Sequence, residues 1–395
     1  MIPGPGARPG GADGDAPRSK VVLPVLLGAF GVFGLFWGTF AVLLADLSGA
    51  LDLSPGPLGV ALFVGAAASI LAMALLGWTS DRLGRRVFLL VSGGVMGLGI
   101  AALASAEGYR ALLAALVILY AASGLYDVGI NAAAVDLERD AGRRVMAVLH
   151  AAFSAGGVAG ALSAGVLLSA GVDYRVVYLA LLPPLGAVIL AVAATRFPPS
   201  GGPSGDKEAK EAGLYRKLPL ILVAAIATLA LLSEGEMEHW SGVYLRNTLG
   251  LSALLGGSGV AVFYGSMAVG RLGAAFVIGR LGNRRTLLGA GLLTAGGMTL
   301  ALATREPLLV VAGFLVVGLA LSAVVPIAFS VAGDLAPGGA GGAISLVTTL
   351  GYGGFLLGPV LVGGLAEVLG LRIALGIIAA SGLLISALSL RLKGG

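Results

Sequence analysis

Cysteine is absent from this chain, which removes disulfide bridges, thiolate-bound zinc and thiol catalysis together. Charge is scarce as well. Asp, Glu, Lys and Arg make up 11% of the 395 residues, where a soluble globular domain carries about 25%. Only two histidines occur, and they are not clustered. No H-E-x-x-H, G-x-S-x-G or Walker A pattern is present, so the sequence offers no zinc protease, no serine hydrolase and no ATP-driven step. What is there is apolar: 57% of the residues are hydrophobic and the mean hydropathy is +0.99. An all-α integral membrane protein that is not an enzyme is expected. The net charge of +5 does not point to nucleic acid, because the basic residues fall in short loops between apolar runs, which is a topological pattern.

The first 20 residues are rich in Gly and Pro and contain little that could be buried, so residues 1–20 read as a disordered tail. Runs able to cross roughly 30 Å of hydrocarbon at 1.5 Å per residue lie near 21–47, 57–79, 87–106, 110–135, 145–170 and 174–195. A polar stretch, RFPPSGGPSGDKEAKEAGLYRK at 196–217, reads as a linker. Six further runs follow near 218–245, 253–277, 286–304, 306–331, 340–367 and 370–390, and residues 391–395 form a second tail. Twelve transmembrane helices in two six-helix bundles, 21–195 and 218–390, are therefore expected.

The basic residues orient this arrangement. With both termini inside, the inner segments hold Arg8, Arg18, Lys20, Arg82, Arg85, Arg86, Arg139, Arg143, Arg144, Arg196, Lys207, Lys210, Arg216, Lys217, Arg280, Arg284, Arg285, Arg391 and Lys393. The outer loops hold Arg110, Arg175, Arg246, Arg305 and Arg372, and Arg271 is left inside a span. Nineteen against five predicts cytoplasmic termini by the positive-inside rule. Twenty arginines against five lysines, with abundant Gly and Ala, fit a GC-rich bacterium, hence a multi-pass protein of the bacterial cytoplasmic (inner) membrane.

An internal repeat supports the division into halves. DRLGRR at 81–86 is echoed by GRLGNRR at 279–285, an offset of 198 between Gly84 and Gly282. SAGGVAG at 154–160 is echoed by GYGGFLLG at 351–358.

The loop after the second run carries Gly77, Asp81, Arg82, Gly84, Arg85 and Arg86 in the form G-x-x-x-D-R-x-G-R-R. Glycine allows a tight turn, the arginines anchor the hairpin, and Asp81 can reach an arginine or a helix N-terminus of the other bundle. In this position the loop resembles the signature of the major facilitator superfamily, a resemblance that covers residues 21–391. It implies the major facilitator fold and a gating role for the loop, which latches the cytoplasmic face in the outward-open state. The second copy keeps Arg280 and Arg284 but has Gly279 in place of the aspartate, so a latch there is weaker or absent. Asp127 with Asn131, LHAAFSAGG at 149–157, EGEMEHWSGVYL at 234–245 and GYGGFLLGP at 351–359 are similar to the fucose-permease-like and related uncharacterised bacterial branch.

Acids inside a membrane are costly and mark function by default. The seventh run has Glu234, Glu236 and Glu238; the first and last share a helical face, and Glu236 points nearly opposite. Glu234 lies about 23 Å along the helix from Pro219, and a buried carboxyl there can carry a proton. Glu238 reads equally as a solvating residue at the outer interface. Asp127 and Asn131 share a face of the fourth run and could bind a hydroxylated solute and a proton, or act as polar glue between helices. His150 is a proton-relay candidate or a packing histidine. Trp37 either lines a cavity or packs, and Trp240 with Tyr244 fits an interfacial belt or a sugar-stacking surface.

These readings converge on a secondary active transporter working by alternating access. It is expected to be proton-coupled, to move a small polar solute such as a sugar, to need no cofactor or metal, and to work as a monomer in the lipid bilayer. A proton-coupled exporter of drugs or amphipathic solutes is the alternative.

Overall fold

The computed structural model describes residues 16–142, 145–198, 218–335 and 340–392, and among them there is no strand. In chain order the helices are α1 (Ala16–Ala50), α2 (Pro55–Leu76), α3 (Thr79–Leu83), α4 (Arg85–Ala104), α5 (Tyr109–Ala141), α6 (Met146–Ser169), α7 (Tyr174–Leu179) and α8 (Leu182–Ala194). The second half contains α9 (Leu218–Val243), which continues as a π-helical turn at Tyr244–Thr248, and α10 (Ala253–Ala303). It closes with α11 (Pro307–Leu321), α12 (Val324–Leu335), α13 (Ala340–Leu369), α14 (Leu371–Ala374) and α15 (Gly376–Ser389).

Twelve spans follow from where these helices break. The 51 residues of α10 would reach about 77 Å at 1.5 Å per residue, more than twice the hydrocarbon thickness. Gly282 divides it, with φ 74° and ψ 164°, a conformation that glycine adopts without steric cost. Gly84, at φ 77° and ψ 151°, makes the same turn 198 positions earlier. The likeness extends to the neighbouring side chains. Arg82 lies 4.3 Å over the Trp78 ring and Arg280 lies 4.2 Å over the Phe276 ring, again at corresponding positions. The sixth and tenth spans are bent instead by proline. Pro183, Pro184 and Pro326 each lack an N–H and crowd the carbonyl four residues back, where α7 gives way to α8 and α11 to α12.

Two sequence expectations need adjustment. Residues 16–20, read as part of a disordered tail, belong to the start of α1, while residues 1–15 lie outside the described residues. The fifth helix runs to Ala141 and so carries Asp136, Glu138, Arg139 and Asp140, which the loop assignment left outside it. At 33 residues it is about 50 Å long and protrudes beyond the hydrocarbon. Most of the linker and second tail, 199–217 and 393–395, and also Arg143 and Arg144, lie outside the described residues.

Small residues set the helix spacing. Against α1, a Cβ at Gly156 or Gly160 would run into the carbonyl oxygen of Gly31 or Leu35. In the other direction, Gly34 and Gly38 stand against the carbonyls of Phe153 and Gly157. In lipid, where apolar burial does not drive helix association, such close backbone approach supplies the packing. The corresponding pair in the second half is α9 with α13, and the halves meet through α6 against α10 and α2 against α13.

On the face that carries the termini, Arg85 is buried and tied within its own half. Its Nε donates to Asp136 Oδ2 at 2.7 Å and its Nη1 to Ser80 Oγ at 2.7 Å, and Asp81 Oδ1 also stands 2.7 Å from Nη1. Arg85→Ala is expected to cost about 3 kcal/mol of stability, because it leaves the buried Asp136 without its main partner. Thermal unfolding of the purified variant checks this, and an unchanged melting temperature would show the network to be dispensable.

Candidate functional site

A cavity of about 320 Å³ lies between the two bundles. From α9 it receives Glu234 and Glu238, from α5 Asp127, from α6 His150 and from α1 Trp37. These are five of the seven side chains singled out as proton or substrate candidates, and they come from four helices. Their convergence follows from helical phase: Glu234 and Glu238 are four residues apart and share a face, whereas Glu236, about 200° around the axis, points away.

The remaining two behave differently. Asn131 does not line the cavity but donates from Nδ2 to Asp127 Oδ1 and to the Asp127 carbonyl, both at 2.9 Å. It orients the carboxylate, and both bonds stay within α5 rather than joining two helices. Trp240 is neither at a cavity wall nor in an interfacial belt. It is fully buried, as is Tyr244, and lies about 240° around the helix from the cavity-facing Glu234.

Sequence reasoning left out a central residue. Arg271, noted as a basic residue stranded in a span, lines the cavity. Its Nη2 is 3.6 Å from Glu234 Oε2, with 42% of its side chain exposed. A loose, cavity-facing ion pair of this kind can exchange one partner for a solute. The walls beside it are aromatic. Trp37 meets Tyr120 edge-on at 5.1 Å between ring centroids, and Phe33 lies 5.7 Å from Phe153. Tyr264 is buried beside Glu238, and Tyr352 and Phe355 complete the far wall. A second omission is His239. Its Nδ1 is 2.7 Å from the Gly235 carbonyl, so that nitrogen carries the proton, and Nε2 accepts from the Tyr120 hydroxyl at 3.1 Å across the bundle interface.

The hydrogen bonds and ion pair that tie Asp46, Gly56 and Ser169 to the second half lie on the side away from the termini. Arg246 forks onto both carboxylate oxygens of Asp46 at 2.5 and 2.8 Å. The Gly56 N–H donates to Glu367 Oε2 at 2.8 Å, and the Leu254 N–H to Ser169 Oγ at 3.0 Å. These contacts close the far face, while the exposed lining residues His150, Arg271 and Tyr352 lie towards the termini. The cavity therefore opens on the terminal side.

A cavity at the centre of twelve spans, closed at one face and open at the other, is the geometry of a carrier, and the comparisons agree. The model of the Major Facilitator Superfamily matches residues 25–278 and 241–393. The chain belongs to this superfamily. It is similar to an uncharacterised MFS-type transporter of Yersinia pestis, with 32% identity over 351 residues that cover 89% of this chain and 90% of that one. Among solved structures it resembles a mutant form of the nucleoside transporter NupG, with a TM-score of 0.81 at 15% identity over 94% of this chain and 100% of that one. It also resembles a D-xylose–proton symporter, with a TM-score of 0.74 at 13% identity over 95% and 98% of the two chains. At such identities the structural likeness establishes the two-bundle major facilitator fold. The chain is thus a multi-pass membrane transporter and not an enzyme.

The signature loops sit at the terminal face of this transporter. Gly77, Asp81 and Arg85 line a crevice with Asp136, and Arg82 packs on Trp78. Gly84 makes the turn from which Arg85 and Arg86 begin α4. Arg280 and Arg284 line a separate pocket below the second bundle.

Proposed function

We propose that this transporter moves a small polar solute such as a sugar across the bacterial cytoplasmic membrane, coupled to protons, with both termini cytoplasmic and a monomer as the working unit. The carrying observation is the meeting of Asp127, Glu234, Glu238 and Arg271 around one aromatic-walled cavity. Its volume of about 320 Å³ falls at the small end of ligand sites. Carboxylates, an amide-braced aspartate and a guanidinium supply the donors and acceptors that fix a hydroxylated ligand, and the rings offer flat apolar faces to its C–H surface. No cofactor enters the scheme. The names of two structural neighbours, one a D-xylose–proton symporter and one a nucleoside transporter, are in keeping with such a solute.

Alternating access follows if the bundles 21–195 and 218–390 rock about this cavity. In the state described, the far-face contacts hold the transporter open inward. Closing the inner face brings the Asp81 loop against the second bundle and breaks the far-face contacts. A carboxyl that passes between a wet, open cavity and a dry, closed one becomes a proton carrier, because desolvation disfavours its charged form.

The same three carboxylates and rings would also hold an amphipathic cation, which is the exporter reading. A thermal-shift screen of detergent-purified protein separates the two, since a ligand of the folded state stabilises it by mass action. Sugars, nucleosides, amino acids and cationic drugs are compared at pH 5.5 and 7.5. A pH-dependent shift with a sugar or nucleoside is expected; a shift confined to cationic drugs would replace uptake of a polar solute with export.

A further inference from the structure

The second signature loop differs from the first where charge is concerned. Asp81 corresponds to Gly279 and Arg85 to Asn283, so the buried arginine network of the first half has no counterpart. Arg280, Arg284 and Arg285 remain, and among the described residues none of them forms an ion pair with a carboxylate; Asp334, which corresponds to Asp136, pairs with none of them. The three arginines surround a cup of about 710 Å³ on the terminal face, floored by Leu281, Leu288 and Leu390.

A second depression continues from this cup. It is an apolar groove of about 380 Å³ between α10 and α11, and it shares Leu281 and Arg285 with the cup. Its walls include Gly273, Val277, Gly289, Leu293 and Leu319. Val277, Leu293 and Leu319 are all exposed, so the groove is open to its surroundings. From Gly270 to Leu281 it runs about 17 Å at 1.5 Å per residue, close to the half-thickness of the hydrocarbon core, about 15 Å.

We propose that cup and groove together form a binding site for an anionic phospholipid of the leaflet on the side of the termini, its phosphate among Arg280, Arg284 and Arg285 and one acyl chain along α10 and α11. Charge complementarity selects the headgroup: three guanidiniums that have no carboxylate partner among the described residues form a cation-rich cup at the membrane surface, where such clusters attract anionic lipid. The apolar groove selects a lipid over a free anion. The site is distinct from the central cavity, with which it shares no lining residue. It sits on the hairpin that must move when the inner face closes, so the lipid would bear on the balance between the two open states.

The test is native mass spectrometry of the full-length protein exchanged into equal amounts of dioleoyl phosphatidylglycerol, phosphatidylethanolamine and phosphatidylcholine. Preferential retention of phosphatidylglycerol is expected. Each arginine replaced by glutamine should weaken it about fivefold, and R280Q/R284Q/R285Q should weaken it more than a hundredfold. G273L/G289L fills the groove and leaves every arginine in place. A Cβ at either glycine meets no atom within 4 Å, so the fold accommodates the change, and this variant too should lose phosphatidylglycerol. Equal retention of the three lipids, an unchanged preference in the triple variant, or full retention in G273L/G289L would each overturn the proposal. So would competition by soluble glycerol phosphate as effective as that by the lipid, which would reduce the cup to a site for free anions.

Discussion

Replacing Glu234 with glutamine is expected to abolish accumulation of the solute against its gradient in proteoliposomes, while exchange of labelled for unlabelled solute continues. Glutamine keeps the size and hydrogen-bonding capacity of the side chain and removes its proton. One charge moved across 100 mV is worth about 2.3 kcal/mol, enough to sustain roughly 50-fold accumulation. The ratio of internal to external solute should therefore fall from that order to about one. The geometry makes Glu234 the most sensitive of the acids, because it forms the ion pair with the Arg271 guanidinium, at 3.6 Å. Removing its charge leaves that cation exposed to the cavity, and E234Q/R271Q should recover exchange wherever E234Q alone weakens it. Asp127→Asn is expected to have the same uncoupling effect, since its Asn131 brace holds the carboxylate towards the cavity. If both single variants accumulate solute as the unaltered protein does, the assignment of these acids is wrong.

The second large effect is expected at the far face. Asp46→Asn should shift the resting population from inward-open towards outward-open, because the forked pair with Arg246 is the strongest contact joining the halves there. Breaking a buried ion pair costs about 3–5 kcal/mol. These two side chains are 19% and 20% exposed, so about 2 kcal/mol is the better expectation, a shift of roughly 30-fold in the ratio of states. The absence of cysteine makes the measurement clean. Ser69→Cys places a single thiol on the cavity wall, and a membrane-impermeant maleimide is applied to either side of oriented vesicles. The thiol should label from the terminal side in S69C and gain strongly in labelling from the far side in S69C/D46N. Exchanging the charges, as D46R/R246D, should restore the original sidedness. Labelling from the same side in all three proteins would show that the pair does not hold the gate.

Much of the architecture was written in the sequence because the bilayer allows few solutions. Backbone groups in hydrocarbon must be satisfied within the segment, so long apolar runs have to be helices. The count of twelve, the halves and the glycine at each hairpin could be read from run length, basic-residue asymmetry and the 198-residue offset. So could the shared faces of Glu234 with Glu238 and Asp127 with Asn131, since helical phase is a local property. What phase does not give is the direction in which a face turns. In a soluble helix the apolar stripe marks the core, but lipid is as apolar as the protein interior, and these spans are hydrophobic all round. Trp240 therefore looked like an interfacial aromatic and proved to be buried, and Arg271 looked like a stray charge until packing of α10 against α9 within the second half set it against Glu234. Asp46 and Arg246 are 200 residues apart and each reads alone as a loop-end charge. Sequence determined which residues lie on which helix, apart from helix ends such as that of α5. Only the tertiary structure decided which of them meet, because helix rotation and the contact between bundles are set by close packing of small residues from distant parts of the chain.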